Sequence, residues 1–188
     1  MNNTRSVLES DRNSRLFSYY QSKCEQSRLP SRGSLNLLDV HKDLPYLYVS
    51  DVVNVGGETR FKFRQMGTKL VDIIKHEGTG QFTRELPLGG WEREWRKTLL
   101  YVMDNSRPAV ALDILKLPNG LEMELEHLAL PLSDDGKTVS HILGAIDFLG
   151  YDYQAISEKT KDILWSDIVD IEVPKRLIIT NLAIDLGV

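Results

Sequence analysis

Residues 60–80 read RFKFRQMGTKLVDIIKHEGTG, and the period of the apolar residues changes at Gly67. Before it, Phe61 and Phe63 alternate with Arg60, Lys62 and Arg64, the two-residue repeat of a strand with one wet face. After it, Leu70, Val71, Ile73 and Ile74 recur at helical spacing. The stretch predicts a strand that breaks at Gly67-Thr68 into one short helix. Gly67 permits the turn, Thr68 is a candidate cap, and Arg64 a charge on a sheet face.

Working outward, YLYVSDVVNV (46–55) is rich in β-branched and aromatic residues and reads as a strand. Gly56-Gly57 supplies a hairpin turn into ETRFKFRQM. Residues 76–90 are irregular, with room for one helical turn. WEREWRKTLLYVMDNS (91–106) is an amphipathic helix whose stripe is Trp91, Trp95, Leu99 and Val102/Met103. Glu92 and Arg96 stand four apart and can pair. Beyond Pro108 the period returns to two: AVALDILKL, a Pro-Asn-Gly turn at 118–120, LEMELEHLALPL, an SDDG turn, and TVSHILGAIDFLG. In the second of these strands, Glu122, Glu124 and Glu126 share a face that Leu128, Leu130 and Leu132 continue. That change of character calls for a bulge or a change of neighbours, and the glutamates read as solvated.

The flanks are plainer. Residues 1–10 are polar and read as loose. Residues 11–27 read as a helix, capped by Asp11 or Asn13, with Leu16, Tyr19, Tyr20 and Lys23/Cys24 on one stripe. That helix either packs on its own domain or serves a dimer. At 151–188, Ile156, Ile163, Leu164 and Trp165 suggest a short helix. The end of the chain then reads as a strand or an exposed hydrophobic tail; so many apolar residues (Ile178, Ile179, Leu182, Ile184 and Leu186) favour burial, in this domain or else in an interface with a partner chain.

Composition narrows the classes. A chain of 188 residues is one domain with terminal extensions. The net charge of −4, with scattered basic residues, points neither to nucleic acid nor to an anionic membrane. The single cysteine, Cys24, excludes an intrachain disulfide and a cysteine-based metal cluster and suits a reducing cytosol. The polar N-terminus is no signal peptide, and no run approaches the ~20 apolar residues of a membrane span. The expectation is a cytoplasmic protein.

The order strand, strand, helices, strand, strand, strand is that of a PAS domain, and four pieces carry a closer resemblance. They are DLPYLYVSDV (43–52), RFKFRQMGTKLVD (60–72), TGQFTREL (79–86) and LALPLSDDGKTVSHILGAI (128–146). In this order they resemble the small alphaproteobacterial PAS proteins of the PAS_5 type, formerly a domain of unknown function. One departure is Asp39-Val40, where that family has aspartate-proline.

The resemblance implies an α+β fold with a five-stranded antiparallel sheet, helices on one face, and the N-terminal helix outside it. The domain limits it suggests are 1–30 for tail and helix, 31–150 for the PAS domain and 151–188 for an extension. PAS relatives hold a small cavity between sheet and helices. Many bind a ligand there and pass a shape change to flanking helices, whereas others are interaction modules. Cavity candidates on this reading are Arg64 at the mouth, Met66, Thr68, Leu70, Trp95, Leu99, His127 and His141.

Chemistry is otherwise sparse. His41 and His76 fall in loops. His127 and His141 lie on adjacent strands, where they can approach as a structural pair. No Cys-His or His-x-x-x-His spacing marks a metal site, and no motif fixes a cofactor. The cysteine motif of flavin-binding photosensory relatives is missing, because Cys24 precedes the sheet. There is no Gly-x-Ser-x-Gly elbow, Walker loop or dinucleotide fingerprint. The expected protein is a non-enzymatic sensor that binds a small molecule or a protein, relays its signal through a partner, and forms a homodimer through its first helix. The rivals are a small α+β isomerase or dehydratase built on a buried Asp-His pair, and a ligand-free structural homodimer.

Overall fold

A computed structural model describes residues 8–25, 28–168 and 170–178. Its strands are β1 (Leu47–Val55), β2 (Glu58–Met66), β3 (Ala109–Lys116), β4 (Glu122–Leu132), β5 (His141–Phe148) and β6 (Asp170–Ile178). Four α-helices accompany them: α1 (Asp11–Lys23), α2 (Thr68–Ile74), α3 (Gly90–Asn105) and α4 (Tyr153–Lys159). All paired strands are antiparallel, in the order β2-β1-β5-β4-β3-β6. The first five strands are those expected, and β6 adds a sixth beside β3. Part of the extension at 151–188 is therefore sheet. Pro174, which cannot donate to a ladder, stands on this edge strand. Residues 179–188 lie outside the described residues, and with them the expected burial of Ile179, Leu182, Ile184 and Leu186.

The local predictions explain most elements. Gly56 and Gly57 both take positive φ and close the β1–β2 hairpin. Gly67 has an ordinary φ of −67°, so its role is close approach: a Cβ there would stand 2.3 Å from the Pro45 carbonyl oxygen. Gly67 is itself the N-cap of α2, and Thr68 is exposed and caps nothing. The turn expected within 76–90 is Thr83–Glu85.

The sheet carries a core on each face. On the front lie α2, α3 and the segment through Trp165, packed on Tyr48, Phe61, Phe63, Met123, Leu125, Ile142 and Ile146. Trp91, Trp95, Leu99 and Val102 of α3 are all buried there. The back carries α1, and of the two roles expected for this helix the packing on its own domain is the one seen, against the dimer contact. Leu16 and Tyr20 are buried in a second core with Leu128, Leu130, Leu132 and Leu143 of the same chain. They are not free to pack on a partner's helix. Helices α2 and α3 thus cover one face, as expected, and the N-terminal helix covers the other.

The docking of α1 also explains β4. Glu122, Glu124, Glu126, Leu128, Leu130 and Leu132 share one face throughout, and the pairings with β3 and β5 run without a register shift. No bulge is needed. The far half of that face is covered and the near half is wet, with Glu122 and Glu124 exposed. Glu126, expected in solvent, is buried. Its carboxylate accepts from the Glu9 N–H (2.6 Å), the Ser10 N–H (3.2 Å) and Asn13 Nδ2 (3.0 Å). The cap itself is Ser10, neither Asp11 nor Asn13, its Oγ accepting from the Asn13 N–H. A distant carboxylate thus satisfies amides around the start of α1, where the dipole favours negative charge. Leu8 and Ser10 are buried by this, so the segment expected to be loose at 1–10 does not include them, and residues 1–7 lie outside the described residues.

Candidate functional site

The front core contains a polar cluster. Tyr48 (β1) and His127 (β4) are separated by β5, whose Gly144 pairs with Tyr48 and whose Ile146 pairs with His127. The Tyr48 ring lies across Gly144, where a Cβ would stand 2.0 Å from the ring. That missing side chain lets the Tyr48 hydroxyl reach His127 Nε2 at 2.6 Å. Trp95 of α3 closes the cluster, with ring centroids 5.0 Å from Tyr48 and 5.5 Å from His127. Phe63, Trp91 and Trp165 extend the aromatic contacts, tilted or edge-on as the ring quadrupoles favour.

Burial sets the protonation states. It pushes the His127 imidazolium down to about 3, and the charge of Arg176 acts the same way. Burial raises the Tyr48 phenol, and the Trp95 indole N–H, close by but outside hydrogen-bond geometry, opposes this. Both groups are neutral at pH 7. A neutral imidazole has one donor and one acceptor nitrogen. Nε2 is engaged by Tyr48, so Nδ1 holds the opposite role in either tautomer. His127 Nδ1 is buried and, among the described residues, has no hydrogen-bond partner, as is the case for Trp95 Nε1 and Ser50 Oγ.

A second cluster adjoins β6. Buried Asp113 accepts from Trp91 Nε1 (3.1 Å), while its Oδ1 has no hydrogen bond among the described residues. Burial raises the carboxyl to about 6, against the pull of Trp91 and Arg176. Arg176 reaches from β6 to α3, bonding Glu94 Oε2 at 2.9 Å and Thr98 Oγ1 at 3.2 Å. Among the described residues, no group of three or more His, Cys, Asp or Glu side chains is placed to hold a metal ion.

Of the cavity candidates, Met66, Leu70, Trp95, Leu99 and His127 are gathered in this front core. Arg64, Thr68 and His141 are not. Arg64 shares the face of Arg60 and Lys62, opposite Phe61 and Phe63, and pairs with Asp51 at 2.8 Å. His141 is held at the sheet's far end by Asp51 (2.7 Å) and Asp134 (3.2 Å). His127 pairs in register with Ile146 and His141 with Leu132, so the two histidines do not meet. The reading missed Tyr48, Ser50 and Asp113. Asp113 did leave a signal: it is the carboxylate within AVALDILKL, in phase with buried Ala111 and Leu115.

Among the described residues no helix is long and apolar enough to cross a membrane. No curated protein matches the chain. Among solved structures it is similar to "VqmA bound to DPO" (16% identity, TM-score 0.46), over 61% of this chain and 57% of that one. A structure of the Vibrio cholerae VqmA dimer in the absence of target DNA gives 18% identity and a TM-score of 0.46, over 61% and 52%. A single-substitution variant of RsLOV gives 11% and 0.38, over 81% and 76%. The similarity thus spans little more than half of the VqmA chains. The PAS_5 family model, described as a PAS domain, matches residues 8–147. With the five-strand order β2-β1-β5-β4-β3 at its centre, the chain belongs to the PAS domain family.

Proposed function

We propose that this PAS domain is a sensor that takes a small uncharged molecule at Tyr48, Trp95 and His127, and relays its state to a partner protein. The observation that carries this is the unpaired His127 Nδ1. A buried polar atom without a partner costs about 1–3 kcal/mol, and a ligand hydrogen bond removes that cost. The chemistry favours a neutral guest. His127 is uncharged, and Arg176, whose charge acts on it, is held by Glu94. Met66, Leu70 and Leu99 supply apolar wall. Relay through α3 and β6 follows from Arg176, which ties the two beside the cluster. The working unit on this reading is a cytoplasmic, non-catalytic homodimer. The rival enzyme needs a buried Asp-His pair; Asp113 holds Trp91, His127 holds Tyr48, and the Asp51–His141 pair is only part-buried at the far end of the sheet.

Mass spectrometry of gently purified protein, under native and then denaturing conditions, tests the reading. Wild type should release a bound small molecule that His127→Leu lacks. Absence of any ligand from both, with no small-molecule shift of the His127 ring nitrogens by NMR, would overturn it. One observation favours a second reading, recognition of a protein alone: the rings of Tyr48, Phe63, Trp91, Trp95 and Trp165 are packed in mutual contact, which leaves little room between them.

A further inference from the structure

The back face carries a separate cavity. Val49 of β1, Leu132 of β4 and Leu143 of β5 form its floor, Leu35 and Leu37 its wall, and Arg32 and Gly33 its rim. Its volume is about 240 Å³. A cavity of ~150 Å³ already holds benzene. The sheet separates this space from the Tyr48–His127 cluster, because Val49 and Leu143 face the α1 side while Tyr48 faces α3. The floor is apolar and uncharged. At the rim, the exposed guanidinium of Arg32 makes no ion pair with any described residue.

We infer that this cavity binds a compact amphipathic carboxylate, its ring or branched chain on Val49, Leu132 and Leu143 and its carboxylate on Arg32. Size selects a body of roughly one six-membered ring, given what a benzene-sized cavity holds. The apolar floor rewards burial of hydrocarbon and offers no partner to a polar body. The planar guanidinium fork matches a carboxylate bidentately. An amine would meet like charge at the rim, and an alcohol would forgo the ion pair.

The experiment is a titration of the full chain with cyclohexanecarboxylate, followed by methyl NMR, with cyclohexylmethanol and cyclohexylamine in parallel. The carboxylate should shift the Val49, Leu132 and Leu143 methyls saturably. The alcohol should bind at least tenfold more weakly, and the amine not at all. Arg32→Glu, an exposed change that leaves the core intact, should weaken the carboxylate at least tenfold. Gly33→Phe should also weaken it; a Cβ there meets only Ser31 Oγ at 3.8 Å, so the backbone accepts a side chain. Absence of saturable shifts, or equal binding by Arg32→Glu, would overturn the inference. So would shifts confined to the Leu99 and Leu125 methyls, which would place the carboxylate in the front core.

Discussion

His127 and Asp113 have opposite linkage, and the sign follows from their folded-state values. The His127 value falls from 6.5 to about 3, so between those limits the unfolded chain binds the extra proton and stability is lost as pH falls. Asp113 rises from 3.8 to about 6, so the folded chain binds the extra proton and stability is lost as pH rises. Over pH ~4–6 the two slopes cancel. Asp113→Asn removes one of them. Relative to wild type, the variant should lose about 1.4 kcal/mol per pH unit on acidification through that window, measured by urea denaturation at pH 4.5, 5.5 and 7. A difference that does not vary with pH would show that Asp113 is ionised throughout. Trp95→Ala, removing a fully buried ring, should cost about 3–5 kcal/mol, and an unchanged thermal midpoint would contradict its burial. Parity made part of this legible. The alternation that buried Phe61 and Phe63 also put Arg64 on the other face, so its absence from the front core was already in the spacing. Register was not legible. Adjacent strands were correct for His127 and His141, but only the ladder shows them five rows apart on opposite faces.

At the scale of elements, β4 shows what periodicity leaves out. A two-residue repeat sorts side chains between faces without saying what covers each face. Glu126 and Leu128 were correctly placed together, and only the docking of α1 tells which part of the face is dry. The same docking decides the fate of a truncation. Removing residues 1–28 uncovers Leu128, Leu130, Leu132 and Leu143 and strips Glu126 of partners in α1 and ahead of it. The truncated chain should aggregate or lose its cooperative transition rather than remain a folded core, as light scattering and thermal melting will show. A milder variant isolates the contact with the helix start. Glu126→Gln keeps the volume and weakens the charge-assisted hydrogen bonds, so α1 amides should exchange faster by about 1–3 kcal/mol of local protection. Unchanged exchange in α1 would mean that the carboxylate does not hold the helix.

For the whole molecule, one sheet is the common wall of two cores. Neither core has a second layer of its own, so loss of the sheet empties both. Tryptophans 91, 95 and 165 all report on the front, whereas far-ultraviolet dichroism reports on every helix and strand. The two signals should follow a single denaturant curve. Separate midpoints would mean that the α1 side opens by itself. The order of strands was readable because each bears its own pattern and turn. The sixth strand was not settled, since DIEVPKRLI carries a proline and no clean alternation. It finds its place by lying against β3.

The carboxylate that holds the start of α1 sits 116 to 117 residues further along the chain. During synthesis the helix leaves the ribosome first and its anchor much later. At ~5–20 residues per second, that interval is on the order of 10 s. Throughout it, Leu16 and Tyr20 have no sheet to cover them, and the nascent chain carries a sticky amphipathic segment. A holding chaperone that grips this segment, and releases it once β4 and β5 have emerged, would therefore set the yield of folded protein.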